Sequence, residues 1–327
     1  MNRALFSIGT NSTRLLVLDG ERRVAAESRG TRIGTGIGAT GTIDIVARER
    51  TLAAIDDYVA IVRNHGSALV DAVATSALRR AHDSDSFARE VQARVGLTPR
   101  VLSGEEEATY SFLGATASRH ATHNHETNRA TEGSAATSDE IAVLDVGGGS
   151  SELAVDTPAH ARASGVVRRT FSLEIGAVRL AERHPALLGG RALDLAERYA
   201  LDAEARADAD GVLAPLGAVR GFAELIAVGG TVFTAAAMVA DGLRDGAVMT
   251  RADNERLIDA LLARDLDARK ALPHIRPQRA DILPAGLIVV DEACRLLGAD
   301  TFTVSEADLL LGYLTSPAFR AIPLAER

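Results

Sequence analysis

Asp145 and Glu152 bracket the run Gly147-Gly148-Gly149-Ser150-Ser151. Consecutive glycines let a backbone take positive φ and approach a ligand closely. Successive N–H groups in such a turn form an anion-binding concavity, and two serines add hydroxyl donors. The flanking carboxylates only accept hydrogen bonds, so a bare phosphate would be repelled by them. A hydrated divalent cation, Mg2+ or Mn2+, set between carboxylate and phosphate removes the conflict, and magnesium is usually bound in that way. A tight hairpin carrying two solvated acids is the simpler alternative.

The elements that must position these residues are legible on both sides. Ile141–Leu144 and Leu153–Val155 are short apolar runs with strand signals. A shift of 138 positions lays "FSIGTNSTRLLVL" over "LDVGGGSSELAVD". Gly9 then falls on Gly147, Ser12 on Ser150, Leu15 on Leu153 and Val17 on Val155. A third turn, in "LIAVGGTVFTAAAM", follows another apolar run and opens a helix at Thr231. Two similar turns, one in each half, predict a two-domain molecule closing on a phosphorylated ligand from both sides. The copies differ chemically at the leading position of the turn: Ser7 stands where Asp145 stands.

Other residues carry weaker signals. Glu105, Glu106 and Glu107 follow Ser103-Gly104 at a strand-to-helix turn, where acids favour the helix dipole. "GIGATG", Gly36 to Gly41, matches a dinucleotide-binding pattern by letter, but the charged "ERRVAAESRGTR" before it is a poor central strand. His120, His123 and His125 lie in a stretch from Ala115 to Glu140 without Leu, Ile, Val, Met, Phe or Tyr. That stretch cannot bury a core and is expected to be a flexible insertion over 117–139.

Seven segments resemble, in order, the motifs of the exopolyphosphatase / guanosine pentaphosphate phosphohydrolase family: "SIGTNSTRLLV", "AVATSALRRAHD", "VLSGEEEATYSFLGA", "VLDVGGGSSELAV", "SLEIGAVRLAER", "AVGGTVFTAAA" and "RADILPAGLIV". The quoted segments run from residue 7 to 289 and the resemblance from about residue 4 to 312, in the short two-domain form. The resemblance implies an α/β fold of two actin-like (ribonuclease H-like) domains with a cleft between them. The expected boundaries are 1–116, with a C-terminal helix over 305–327 packing back on that domain, and 140–304. It implies release of terminal phosphate from inorganic polyphosphate or guanosine pentaphosphate, with Glu107 as general base. It assigns Gly9, Thr10, Asn11 and Ser12 to a first phosphate loop. Gly147, Gly148, Gly149 and Ser150 form the second, and Gly229, Gly230 and Thr231 the third. Arg79 is assigned to the substrate, Asp145 and Glu152 to the metal, and a homodimer is an expectation. Two positions depart from the family: aspartate is usual at Ser7 and arginine at Leu310. In a working phosphatase, Ser7→Asp is expected to tighten magnesium dependence and raise turnover. The alternatives are a catalytically weak sensor of polyphosphate or a guanosine tetra- or pentaphosphate, and an actin-fold kinase or ATPase.

Composition narrows the classes. The 327 residues allow two domains, and 46% hydrophobic with 24% charged residues is ordinary soluble composition. No apolar run approaches the roughly 20 residues a membrane helix needs. The net charge of −8 argues against duplex nucleic acid as partner. The N-terminus reads directly as a strand, with no signal peptide expected. The single cysteine, Cys294, falls in an apolar helix, and a cytoplasmic setting is expected.

Overall fold

The computed structural model describes residues 1–66, 68–117, 139–242 and 245–324. The expected insertion and its three histidines therefore lie outside the described residues, except for the flanking positions 117 and 139. Two compact units form: Met1–Glu107 with Tyr313–Arg327, and Ala108–Gly312.

Unit 1 is built on strands β1 (Asn2–Ile8), β2 (Thr13–Asp19), β3 (Arg22–Arg29), β4 (Ala68–Ala74) and β5 (Arg100–Val101). β1, β2 and β3 run antiparallel in sequence, while β4 pairs parallel with β1 and β5 with β4. Its helices are α1 (Ile37–Thr40), α2 (Ile45–Asn64), α3 (Ser76–Arg80), α4 (Ser84–Val95) and the start of α5 (Gly104–Ala117). Asp44 caps α2 by accepting from the Ala47 N–H. One sheet face is apolar: Ala4, Phe6 and Ile8 alternate with the other face and pack with Val70, Ala72, Ile55 and Tyr58.

Unit 2 repeats the plan with β6 (Ile141–Val146), β7 (Ser151–Asp156), β8 (Arg169–Leu173), β9 (Glu224–Val228), β10 (Val248–Thr250) and β11 (Thr301–Ser305). β6–β7–β8 are antiparallel, and β9 and then β11 continue the sheet in parallel. Both units thus show the ribonuclease H-like order that the sequence implied. The helices are α6 (Pro158–Ser164), α7 (Ala177–Arg183), α8 (Leu195–Leu213), α9 (Gly230–Val239), α10 (Arg251–Leu262), α11 (Leu266–Lys270), α12 (Leu283–Leu297) and α13 (Leu309–Thr315). Ala142, Leu144, Leu153 and Val155 face a large core with α7, α8 and α12. The opposite face, with Val143, Ala154, Ile226 and Val228, is covered by Ala108, Phe112 and Ala115 of α5.

That packing explains a difference from the expected boundaries. The division falls after Glu107 because the following turns of α5 bury Phe112 in unit 2, a contact contributing about 1.5–3 kcal/mol. The C-terminus also differs from the single helix expected over 305–327. After α13, Ile322–Pro323 adds a short antiparallel strand to β4. Asp71 of β4, fully buried, accepts from the Tyr313 hydroxyl at 2.9 Å and from Arg320 Nε at 2.7 Å. No helix among the described residues is long and apolar enough to cross a membrane.

Candidate functional site

In unit 1 the first turn closes by a Gly9 N–H bond to the Ser12 carbonyl at 3.0 Å. A Cβ on Gly9 would stand 3.1 Å from that oxygen, so the glycine permits the close return. A second loop is laid on the turn: Arg32 N–H donates to the Asn11 carbonyl and Gly34 N–H to that of Thr10, both at 2.9 Å. Gly34 is required there, since a Cβ would lie 2.2 Å from Thr10 Cγ2. Asn11 is buried; its Nδ2 donates to Ser12 Oγ at 3.2 Å, while its Oδ1 has no hydrogen-bond partner. An unmade buried bond costs about 1–3 kcal/mol. With its amide turned over, Asn11 would offer N–H to an anion. Either way the turn fits a polar ligand. Ser76, next to Thr75 at the end of β4, is likewise buried with its Oγ unpartnered.

The three glutamates separate by environment. Ser103 and Glu106 form a reciprocal cap: Ser103 N–H donates to Glu106 Oε2 at 2.9 Å, and Glu106 N–H to Ser103 Oγ at 3.1 Å. Glu106 also pairs with Arg100, and Glu105 is exposed. Glu107 is buried, 6% exposed, and forms an ion pair with Arg79. Arg79 in turn donates to the Leu102 carbonyl at 2.6 Å. The two residues assigned to base and substrate binding are therefore brought together.

In unit 2 the second turn repeats the first, with Gly147 N–H on the Ser150 carbonyl at 3.0 Å. The start of α7 clamps it: Ala177 N–H donates to the Gly147 carbonyl and Val178 N–H to that of Gly148. Gly176 makes this approach possible, because a Cβ would be 2.6 Å from the Gly147 oxygen. With those carbonyls turned toward α7, the planar trans peptides aim the N–H groups of Gly148 and Gly149 the other way. Asp145 and Glu152 are direct partners across β6–β7 and share one face. Glu152, 3% exposed, accepts from Ser172 Oγ at 3.1 Å. Asp145 Oδ2 accepts from Ser111 Oγ at 2.6 Å. Its Oδ1 faces Gly229, whose φ of +101° suits glycine and whose missing Cβ would stand 3.1 Å away. Gly230 leaves room for the Arg279 guanidinium, which a Cβ would meet at 2.2 Å. Thr231 packs against Gly286.

Two facing carboxylates suit magnesium, which takes one or two carboxylates and completes its octahedron with waters and phosphate oxygens. Among the described residues no cluster of three His, Cys, Asp or Glu forms, as a zinc site would need.

The chain matches the Ppx/GppA phosphatase family over residues 19–318. It belongs to that family. It is 32% identical to exopolyphosphatase 2 of Mycobacterium tuberculosis over 96% of this chain and 98% of that protein. Among solved structures it is similar to an exopolyphosphatase-like protein at 28% identity, TM-score 0.78, covering 96% of this chain and 98% of the other. A Ppx/GppA protein of Aquifex aeolicus, at 23% identity, TM-score 0.72 and 96% coverage of both chains, shares the fold.

Within the Ppx/GppA frame, the two unusual positions acquire contexts. Ser7, 4% exposed, lies opposite Arg14 across β1–β2, and Leu310 is buried in α13. The dinucleotide pattern fails: β3 is an antiparallel edge strand, and Gly36 and Gly41 merely flank the four-residue α1, with Gly38 inside it. Burial pushes the Cys294 thiol up to about 12, which leaves it inert at neutral pH. Sequence reasoning missed Ser111, Gly176 and Arg279. All three lie inside quoted segments, but nothing in their spacing distinguishes them from helix, helix-start and surface residues.

Proposed function

We propose that this chain hydrolyses the terminal phosphoanhydride of inorganic polyphosphate. The observation that carries the reading is the ion pair of buried Glu107 with partly buried Arg79, set apart from two neighbouring glutamates that are capped or exposed. The 32% identity to an exopolyphosphatase supports polyphosphate over guanosine pentaphosphate. Glu107 takes a proton from the attacking water as its oxygen bonds to the terminal phosphorus and the bridging P–O bond breaks. Arg79 contacts the oxygens of the entering phosphate, a bidentate geometry that suits guanidinium. The turns at Gly9–Ser12, Gly147–Ser150 and Gly229–Thr231 offer N–H and hydroxyl groups to non-transferred oxygens. Asp145 and Glu152 would hold a divalent cation, which when bound offsets charge on the phosphates. Positioning and charge neutralisation carry most of the rate enhancement in such transfers. We place the protein in the cytoplasm, acting as a homodimer.

Glu107→Gln is expected to keep polyphosphate affinity and lower single-turnover phosphate release by about 10²–10⁴-fold. A rate near wild type would remove Glu107 from the mechanism. A catalytically weak sensor is the second reading, favoured by the uncharged Ser7 opposite Arg14. Phosphate release from polyphosphate and from guanosine pentaphosphate, with and without Mg2+, separates the two. Tight binding of either compound without release would select the sensor.

A further inference from the structure

Ser111 is 1% exposed, on the part of α5 whose Ala108, Phe112 and Ala115 pack on the unit 2 sheet. A hydroxyl in an apolar seam needs a partner. Buried helix hydroxyls commonly donate to the carbonyl one turn back. Thr51, Thr116 and Thr234 do so, to Ala47, Phe112 and Gly230 at 2.8, 2.8 and 2.7 Å. Ser111 instead directs its single proton to Asp145 Oδ2, at 2.6 Å. That distance is in the range of a hydroxyl donating to an ionised carboxylate. The other oxygen, Oδ1, sits against the backbone of Gly229, where any side chain would crowd it. The carboxylate is thus fixed in rotation from both ends, by a helix on one side and a strand-to-helix turn on the other.

We infer that Ser111 is a positioning residue: its hydroxyl orients Asp145 so that the carboxylate presents a defined lone-pair direction to a divalent cation. The inference rests on the reading of Asp145 as a cation ligand. Serine is suited to this role because it is small enough for the seam and has one donor. Alanine would leave the packing intact and release the carboxylate to rotate.

The test is direct Mn2+ binding to the whole protein without substrate, followed by the paramagnetic signal of free Mn2+. Ser111→Ala is expected to weaken Mn2+ binding about 10-fold, the low end for loss of an outer-shell partner. The Mn2+ concentration for half-maximal phosphate release should rise in parallel, and Ser111→Thr should restore most of both. A purely structural role predicts a lower melting temperature with unchanged Mn2+ affinity, and that result overturns the inference. Should Ser111→Ala fail to fold, Ser111→Cys, close in volume and a weak donor, carries the same measurement. Asp145→Asn is the control. Lost Mn2+ binding there with wild-type binding in Ser111→Ala overturns the positioning role alone. Retained Mn2+ binding in Asp145→Asn removes the ligand reading, and the inference with it.

Discussion

Ser7 and Arg14 face each other across the first hairpin in the register that Asp145 and Glu152 occupy in the second. Both hairpins close with the same 3.0 Å glycine bond, and both extend into a parallel strand followed by a helix. The backbone plan is duplicated while the charge is not: unit 2 has two acids where unit 1 has a hydroxyl and a cation. Unit 1 still carries an acid on that sheet face, Asp71, two strand positions from the level of Ser7. Its carboxylate is committed to Tyr313 and Arg320. Burial first, and then the charge and hydrogen bond of Asp71, push the Tyr313 phenol upward. One unit thus uses its inward acid to hold the C-terminal segment, while in the other we propose that the acids hold a cation. A duplicated fold can diverge this way because the turn geometry is set by glycines and backbone bonds, independent of the facing side chains.

The largest effect is expected from making the second hairpin like the first. Asp145→Ser should cut metal-dependent phosphate release by more than about 100-fold, beyond the 10–100-fold typical of losing an outer-shell partner. Near-normal kinetics with Mg2+ would erase the functional difference between the hairpins. Next is the structural acid. Asp71→Ala should lower unfolding free energy by about 3 kcal/mol, the low end for breaking a buried ion pair because Arg320 is one-third exposed. Urea denaturation measures it, and the folded fraction should retain wild-type Mn2+ affinity. A loss of Mn2+ binding with stability intact would reverse the division of labour.

The smallest effect is expected from the reciprocal change. On sequence alone, Ser7→Asp adds a cation ligand. In the structure Arg14 is its direct cross-strand partner, and opposite charges so placed stabilise by about 0.2–1 kcal/mol. Ser7→Asp should therefore raise the melting temperature slightly and leave Mn2+ affinity unchanged. Tighter Mn2+ binding would show that the new carboxylate escapes Arg14 and that the hairpins are closer in function than their charges imply.

Much of the fold was legible because it rests on local patterns. The apolar runs around Gly9 and Gly147 are short, continuous and bounded by glycine turns, and Asp44 announces its helix by capping chemistry. The repeat of 138 residues was visible because both turns need glycine at the same point. The C-terminal segment was misread since Ile322–Pro323 is too short to show a period and becomes a strand only beside β4. Of the site, the Gly/Ser turns and acids were readable from residue type. Ser111, one helical turn after Glu107, was not, because a lone serine in an apolar helix has the same letters whether it bonds backward or outward.

By itself, then, the sequence determined the duplicated strand–turn–strand plan, the family motifs and the presence of acids beside glycine turns. These are properties of neighbouring residues, governed by backbone sterics and periodic burial. Tertiary structure alone decided which of three adjacent glutamates is buried against Arg79, and which serine grips Asp145. Each of those outcomes depends on a partner brought in from another strand, helix or loop, and hydrogen-bond geometry between distant segments is set only when the core closes.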